Sequence, residues 1–277
     1  VMVALCLTAL GISISSSEGS LKTPVSSTSQ QSSAPSIPQI ENVGSGSTEG
    51  EPSVSPTLSP TMIRKVKIRQ ELELISGFEV FEDPLSPHSM ALEWIASGDS
   101  LQVQTSDTHF LQRYILAILY FSTNGESWTD DFNWLDGTHE CEWYIENVLR
   151  RGVRECSTER FVTNIGLETN NLMGMLPSEI GLLEHLKIVT LSNNKIGGTI
   201  SSEIGQLKRL AKLEVNKNSL TGEIPSTLGN LVMLEFLWLH DNFFTGEVPA
   251  AVCDLRKVEL DRLWADCEVC DCCDACF

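Results

Sequence analysis

The stretch Leu237–Val252, "LWLHDNFFTGEVPAAV", sets an Asn, a Gly four residues later and then an apolar-Pro pair, and nearly the same pattern occurs three times before it. Steps of 24 residues back from Asn242 reach Asn218, Asn194 and Asn170; from Gly246 they reach Gly222, Gly198 and Gly174. A fixed period of this kind marks a stacked repeat architecture. From Val162 the four units align without a gap. Ile165, Val189, Leu213 and Leu237 form one apolar column, and Leu167, Leu191, Val215 and Leu239 form the next. Leu172, Ile196, Leu220 and Phe244 form a third.

The alternating core of each unit predicts a short strand with every second side chain pointing inward. Identical units then stack as a parallel sheet with about 4.8 Å between strands. Where the chain leaves the strand, an Asn amide both donates and accepts, so Asn170, Asn194, Asn218 and Asn242 are expected to ladder across the backbone of neighbouring turns. The Gly permits a backbone angle that other residues resist, and the Pro directs the return path. Ser201 stands where the unit expects Pro, which predicts a looser turn there. A fifth unit is degenerate. Val258, Leu263 and Asp266 fall on the positions of Leu234, Leu239 and Asn242, but Asp261 sits where an inward Leu belongs. A terminal turn with one face uncovered fits that pattern.

Outside the repeats the chain changes character. Of its 277 residues the first 14 are an apolar run, "VMVALCLTALGISI", read as a signal-peptide core or the remnant of a membrane anchor. Residues 15–62 are rich in Ser, Thr and Pro and poor in large apolar side chains, which predicts a disordered stalk whose ends lie about 40 Å apart. Residues 63–161 are expected to form a helical N-terminal cap. Within it "VKIRQELELISG" reads as a helix, Ser86-Pro87 opens a second that Gly98 stops, and a third runs from about Asp107 to Phe121. Residues 162–257 are the four repeats, and 258–277 are the degenerate unit with a Cys-rich closing cap.

The formal net charge of -18 repels phosphate backbones and argues against nucleic acid as a partner. Of the nine cysteines, Cys141 and Cys156 precede the repeats, and Cys253, Cys267, Cys270, Cys272, Cys273 and Cys276 follow most of them. Placed at both ends of the periodic region, they favour disulfide staples in an oxidising compartment. Six closing cysteines allow 15 pairings. A zinc tetrad from Cys267-x-x-Cys270 and Cys273-x-x-Cys276 is the weaker alternative.

The quoted units, with "NNLMGMLPSEIGLLEHL" and "NSLTGEIPSTLGNLVML", resemble plant-type leucine-rich repeats of receptor ectodomains, which also occur in algal proteins. "LYFSTNGESWTDDFNWLDGTHECEW" with "GVREC" is similar to that family's N-terminal cap, and "LWADCEVCDCCDACF" resembles its Cys-rich closing cap. "YIENVLRR", Tyr144–Arg151, departs from the pattern as an insertion. The resemblance implies an α/β repeat solenoid. It would be a right-handed superhelix with a parallel sheet on its concave face and a helical N-terminal cap that a Cys141–Cys156 bridge and Trp128, Trp134 and Trp143 help to close.

No nucleotide loop, Gly-flanked nucleophilic Ser or zinc-protease motif is present, so neither enzymatic activity nor a cofactor is expected. "THECEW", Thr138–Trp143, clusters His, Glu and Cys and reads as a surface loop of the cap rather than a metal site. Ligand contacts in such solenoids are expected on the concave strands. There a 24-residue step aligns Trp238 with Arg262, His240 with Trp264, and Phe236 with Leu260. Lys212, Glu214, Phe236, Trp238, His240, Asp241 and Trp264 are the candidate ligand-binding residues, since Trp beside a polar rim is the composition of a binding hot spot. The competing reading is that Phe236 and Trp264 only seal the closing cap. The expected function is an extracellular, receptor-like recognition module, tethered to a membrane through its N-terminus or secreted. Its partners would be a protein, peptide or glycan ligand and a co-receptor. The alternatives are a secreted inhibitor of a foreign hydrolase and an adhesive surface protein without a specific ligand.

Overall fold

A computed structural model describes residues 59–145 and 151–276; the side chains of Cys267 and Cys276 also fall outside it. The apolar run with Cys6, the stalk up to residue 58 and the centre of the "YIENVLRR" insertion lie outside the described residues. Contacts divide the chain between residues 53 and 54, and the described residues all lie in the second part.

Three helices precede the strands. Helix α1, Pro60–Ser76, starts where Ser59 Oγ accepts from Met62 N at 3.2 Å and Pro60 supplies the pre-set first backbone angle. Residues 60–62, read as part of the stalk, are therefore the first turn of this helix, because Ser-Pro is also a helix opening. Helix α2, Pro87–Glu93, is capped in the same way by Ser86 and runs into a wider turn, Trp94–Gly98. Helix α3, Phe110–Ser122, begins later than Asp107, whose carboxylate accepts from His109 N at 2.8 Å and makes a turn instead. Gln112 to Leu119 are all buried, so α3 is the central post of the cap.

Buried charge inside the cap is paired. Arg113 is wholly buried and donates to Asp99 at 2.7 and 2.9 Å and to Glu140 at 3.0 Å. Its guanidinium lies 5.0 Å from the ring centres of both Trp94 and Trp143. A buried guanidinium is tolerable only with such a complete set of partners.

The strands, in chain order, are β1 Tyr144–Ile145, β2 Arg151–Cys156, β3 Val162–Gly166, β4 Met173–Met175, β5 Ile188–Thr190 and β6 Lys195–Gly197. There follow β7 Lys212–Glu214, β8 Thr221–Glu223, β9 Phe236–Trp238, β10 Phe243–Thr245, β11 Arg262–Ala265 and β12 Ala275–Cys276. Among the described residues the main sheet has the order β1-β2-β3-β5-β7-β9-β11-β12. The β1-β2 and β2-β3 pairs are antiparallel, and every later pair is parallel. The fold is an α/β repeat solenoid. Ile165, Val189, Leu213 and Leu237 stand in register and buried, with Leu167, Leu191, Val215 and Leu239 behind them.

The asparagines form a continuous hydrogen-bonded file. Asn194 Oδ1 accepts from Asn170 N at 2.9 Å and Leu172 N at 3.1 Å, while its Nδ2 donates to Leu167 O and Leu191 O, each at 2.9 Å. One and two coils on, Asn218 and Asn242 repeat the Nδ2 bonds and accept from Ile196 N and Leu220 N, while Asn194 N and Asn218 N donate to Lys217 O and Asp241 O. The file extends past the asparagines at both ends. Asp130 N donates to Asn170 Oδ1 at 2.8 Å, and Asp266 accepts from Asn242 N at 3.3 Å. Asp130, unremarkable as a loop residue in the sequence, thus joins the cap to the first coil.

Two expectations change. Ser201 does not loosen its turn: its φ of -69° and ψ of 145° match Pro177 at -70° and 142°, and its hydroxyl accepts from Glu203 N. Neighbouring coils dictate the path there, and serine follows it. The fifth unit also does not continue the 24-residue step. Leu263 pairs with Leu237 and Trp264 with Trp238, so this coil is two residues longer than the others. A helical turn, α4 Ala250–Asp254, and the turn after it absorb the extra length. As a result Leu260 is buried and Val258 is 68% exposed, the reverse of the uniform alignment. No helix among the described residues is long and apolar enough to cross a membrane.

Candidate functional site

The concave face is built by β3, β5, β7, β9 and β11, and its two ends differ. At the first end Arg154, from antiparallel β2, lies over Gly166, where an added Cβ would meet its Nε at 2.0 Å. Arg154 pairs with Glu168 and donates to Thr190 Oγ1 at 3.1 Å, while Thr190 donates to Glu168 Oε2 at 3.2 Å. This end is closed by its own ion pair. The repeat alignment does not reveal Arg154, because β2 is not a repeat strand and enters the sheet from the cap.

At the other end the two-residue shift brings the indoles of Trp238 and Trp264 together, 4.6 Å apart and within 5° of parallel. Lys212 extends its ammonium 5.2 Å from the Trp238 ring centre and 5.9 Å from that of Phe236, and it pairs with Glu214 at 2.8 Å. Arg262 sits beside Phe236 in the pairing register. Phe236, Trp238, Trp264 and Lys212 are half-buried, and Arg262 and Asp241 are exposed. The product is an aromatic ledge edged by two cations.

Two candidate residues are placed differently. Glu214 and His240 are only 7% and 5% exposed and offer far less surface on this face than the aromatic side chains do. His240 Nε2 lies 3.2 Å from Asn216 Nδ2, and its ring is 5.9 Å from Trp264. Burial lowers the His240 pKa against the opposing pull of Asp241 and Asp266, which favours the neutral ring at neutral pH. Trp238 Nε1 and Asn216 Oδ1 are buried there without a hydrogen-bond partner in the protein.

The ends of the solenoid are cross-linked. Cys141 bonds Cys156, Cys253 bonds Cys272, and Cys270 bonds Cys273. Since Cys270 and Cys273 hold each other, the four-thiolate zinc arrangement does not form. The side chains of Cys267 and Cys276 lie outside the described residues. His88 and Glu179, 2.8 Å apart, tie α2 to the turn after β4.

The sequence model of the family "Leucine Rich Repeat" matches residues 185–207, 209–231 and 233–255. No curated protein matches the chain. Among solved structures, the chain is similar to one of PEPR1 with AtPEP1, at 28% identity and a TM-score of 0.44, over 56% of this chain and 20% of that one. It is also similar to a chain of the BIR3–SERK2 complex from Arabidopsis thaliana, at 26% identity and a TM-score of 0.43, over 54% of this chain and 81% of that one. A third is the Arabidopsis receptor kinase HAESA with the peptide hormone IDA and the co-receptor SERK1, at 24% identity and a TM-score of 0.46, over 57% and 25% of the two chains.

Proposed function

We propose that this chain, whose residues 185–255 are leucine-rich repeats on a curved parallel sheet, is a receptor-like recognition module and not an enzyme. Its ligand is a peptide or protein that lies across β7, β9 and β11. The observation that carries this reading is the Trp238–Trp264 stack, half-buried on an open face beside Lys212 and Arg262. Paired indoles give a large rigid contact area at little entropic cost, and flanking cations suit a ligand with apolar side chains and carboxylate or carbonyl groups. The paired cysteines support an oxidising compartment. We assign the repeats to the outside of a cell, secreted or tethered by the N-terminal apolar run, with a co-receptor as a second partner.

A display library of peptides, proteins and glycans selected against the immobilised chain tests this. Hits should lose at least tenfold in affinity with W238A or W264A and keep it with M175A on the separate β4-β6 ladder. Saturable hits that ignore both tryptophans would place the site elsewhere. A library that yields nothing saturable would favour the adhesive reading, and selective capture of a hydrolase the inhibitor reading.

A further inference from the structure

The loop before β1 and the residue before α3 bring three metal-ligand side chains together. His109, His139 and Glu140 each offer a donor atom within 4.8 Å of the other two. His139 Nδ1 is 3.7 Å from Glu140 Oε2, and two ligand atoms about 2.1 Å from one tetrahedral ion stand about 3.4 Å apart. The imidazoles meet edge to face with ring centres 5.0 Å apart, and Phe161 covers His109 at 4.8 Å.

The hydrogen bonds around this cluster leave imidazole nitrogens unpartnered beside a carboxylate. The backbone N–H of Cys141 donates to His139 Nδ1 at 3.2 Å, a bond that an ion at this nitrogen would replace, and Nδ1 lies 3.7 Å from a carboxylate oxygen of Glu140. His109 Nδ1 is buried with no hydrogen-bond partner. Glu140 is 1% exposed and held in place from behind, by Gln112 Nε2 at 2.7 Å and Arg113 Nη1 at 3.0 Å. Supporting bonds of this kind orient a ligating carboxylate. Arg113, Asp99 and Glu140 together carry one net negative charge, so a cation enters a site that is not already neutral. A bound cation would satisfy the unpartnered nitrogen of His109 and share the Glu140 carboxylate with its supporting donors.

We propose that His109, His139 and Glu140 bind one divalent transition-metal ion of the zinc class, with its remaining position open to solvent. Two imidazoles and one carboxylate suit zinc, cobalt, nickel or copper and not calcium or magnesium. The ion ties the start of α3 to the 138–143 loop beside the Cys141–Cys156 bridge, and it fixes the cap against which the first coil is laid.

The test uses the full disulfide-bonded chain, stripped with a chelator and titrated with Co²⁺. One equivalent should produce visible absorption of low-coordinate cobalt, and Zn²⁺ should abolish it. H109A and H139A should each weaken binding at least tenfold and remove the rise in melting temperature that zinc gives the wild type. Absence of the cobalt bands, or undiminished binding by H109A/H139A, overturns the site. In case a variant fails to fold, the wild type is treated with diethyl pyrocarbonate with and without zinc and mapped by peptide mass. Protection of His109 and His139, with His185 labelled equally in both, supports the site; equal labelling of all three overturns it.

Discussion

Asn218 shows how one side chain serves two coils. Its amide accepts from Ile196 N at 3.0 Å and donates to Leu191 O at 3.0 Å and Val215 O at 2.9 Å, all inside the solenoid. Asn218→Ala leaves Ile196 N without its acceptor, while Leu191 O keeps Asn194 Nδ2 and Val215 O keeps Asn242 Nδ2; a buried donor left unpaired costs about 1–3 kcal/mol. With two weaker bonds lost beside it, we expect a loss of about 2 kcal/mol in urea unfolding. Glu179 makes a second residue-scale case. Burial raises its carboxyl, but hydrogen bonds from His88, Ser76 and its own backbone N–H outweigh that and hold it at about 2. A lowered folded-state value means that its contribution is present above the ordinary carboxylate pKa of 4.5 and is lost as pH falls through about 2. The wild-type urea midpoint should therefore fall between pH 5 and pH 2 by more than that of Glu179→Gln. Parallel slopes for the two proteins would refute the tie. The Asn file was legible in the sequence because every coil solves the same hydrogen-bonding problem at the same place. Glu179–His88 was not, because its partners are 91 residues apart and no period links them.

At the scale of elements, the cap depends on links that cross its helices and loops. Arg113→Ala would leave Asp99 and Glu140 buried and uncompensated, and we expect a loss of about 3–5 kcal/mol, read by chemical denaturation. The Cys141–Cys156 link closes a loop with a sequence separation of 15, and its removal by Cys141→Ser with Cys156→Ser should cost about 3 kcal/mol in the chain-entropy model. The fifth coil shows where sequence periodicity stops being a guide. A 24-residue step aligns Arg262 with Trp238, but pairing aligns Trp264 with it. Strand register follows the burial of Leu260, Leu263 and Ala265, and α4 lengthens the return path to suit. The aromatic ledge owes its stacking to that slip. The composition of the candidate site was readable from its residue types, but how far each of those residues reaches solvent was not: Glu214 and His240 are buried, whereas Trp238 and Trp264 are half-buried.

For the whole molecule, each coil is stable only between neighbours, since its apolar columns continue into the next. This predicts a sharp dependence on length. Deletion of residues 188–211, one full unit, should leave Leu213 in the place of Val189 and give a folded chain with a cooperative but lower melting transition. Deletion of residues 188–210 puts each later Asn and Leu one step out of file and should abolish the transition. Circular dichroism during heating separates the outcomes, and two equal transitions would contradict the shared interior. The sequence by itself determined that there are four equivalent coils, which side chains point inward, where the Asn file runs and that cysteines guard both ends. These are local or strictly periodic demands, and each coil states them again. Only the tertiary structure decided that Arg154 closes one end of the concave face, that the last strand slips by two residues to stack Trp264 on Trp238, and that His109 meets His139. Those contacts arise where the period ends, and there the chain's path is set by what it packs against, not by what it repeats.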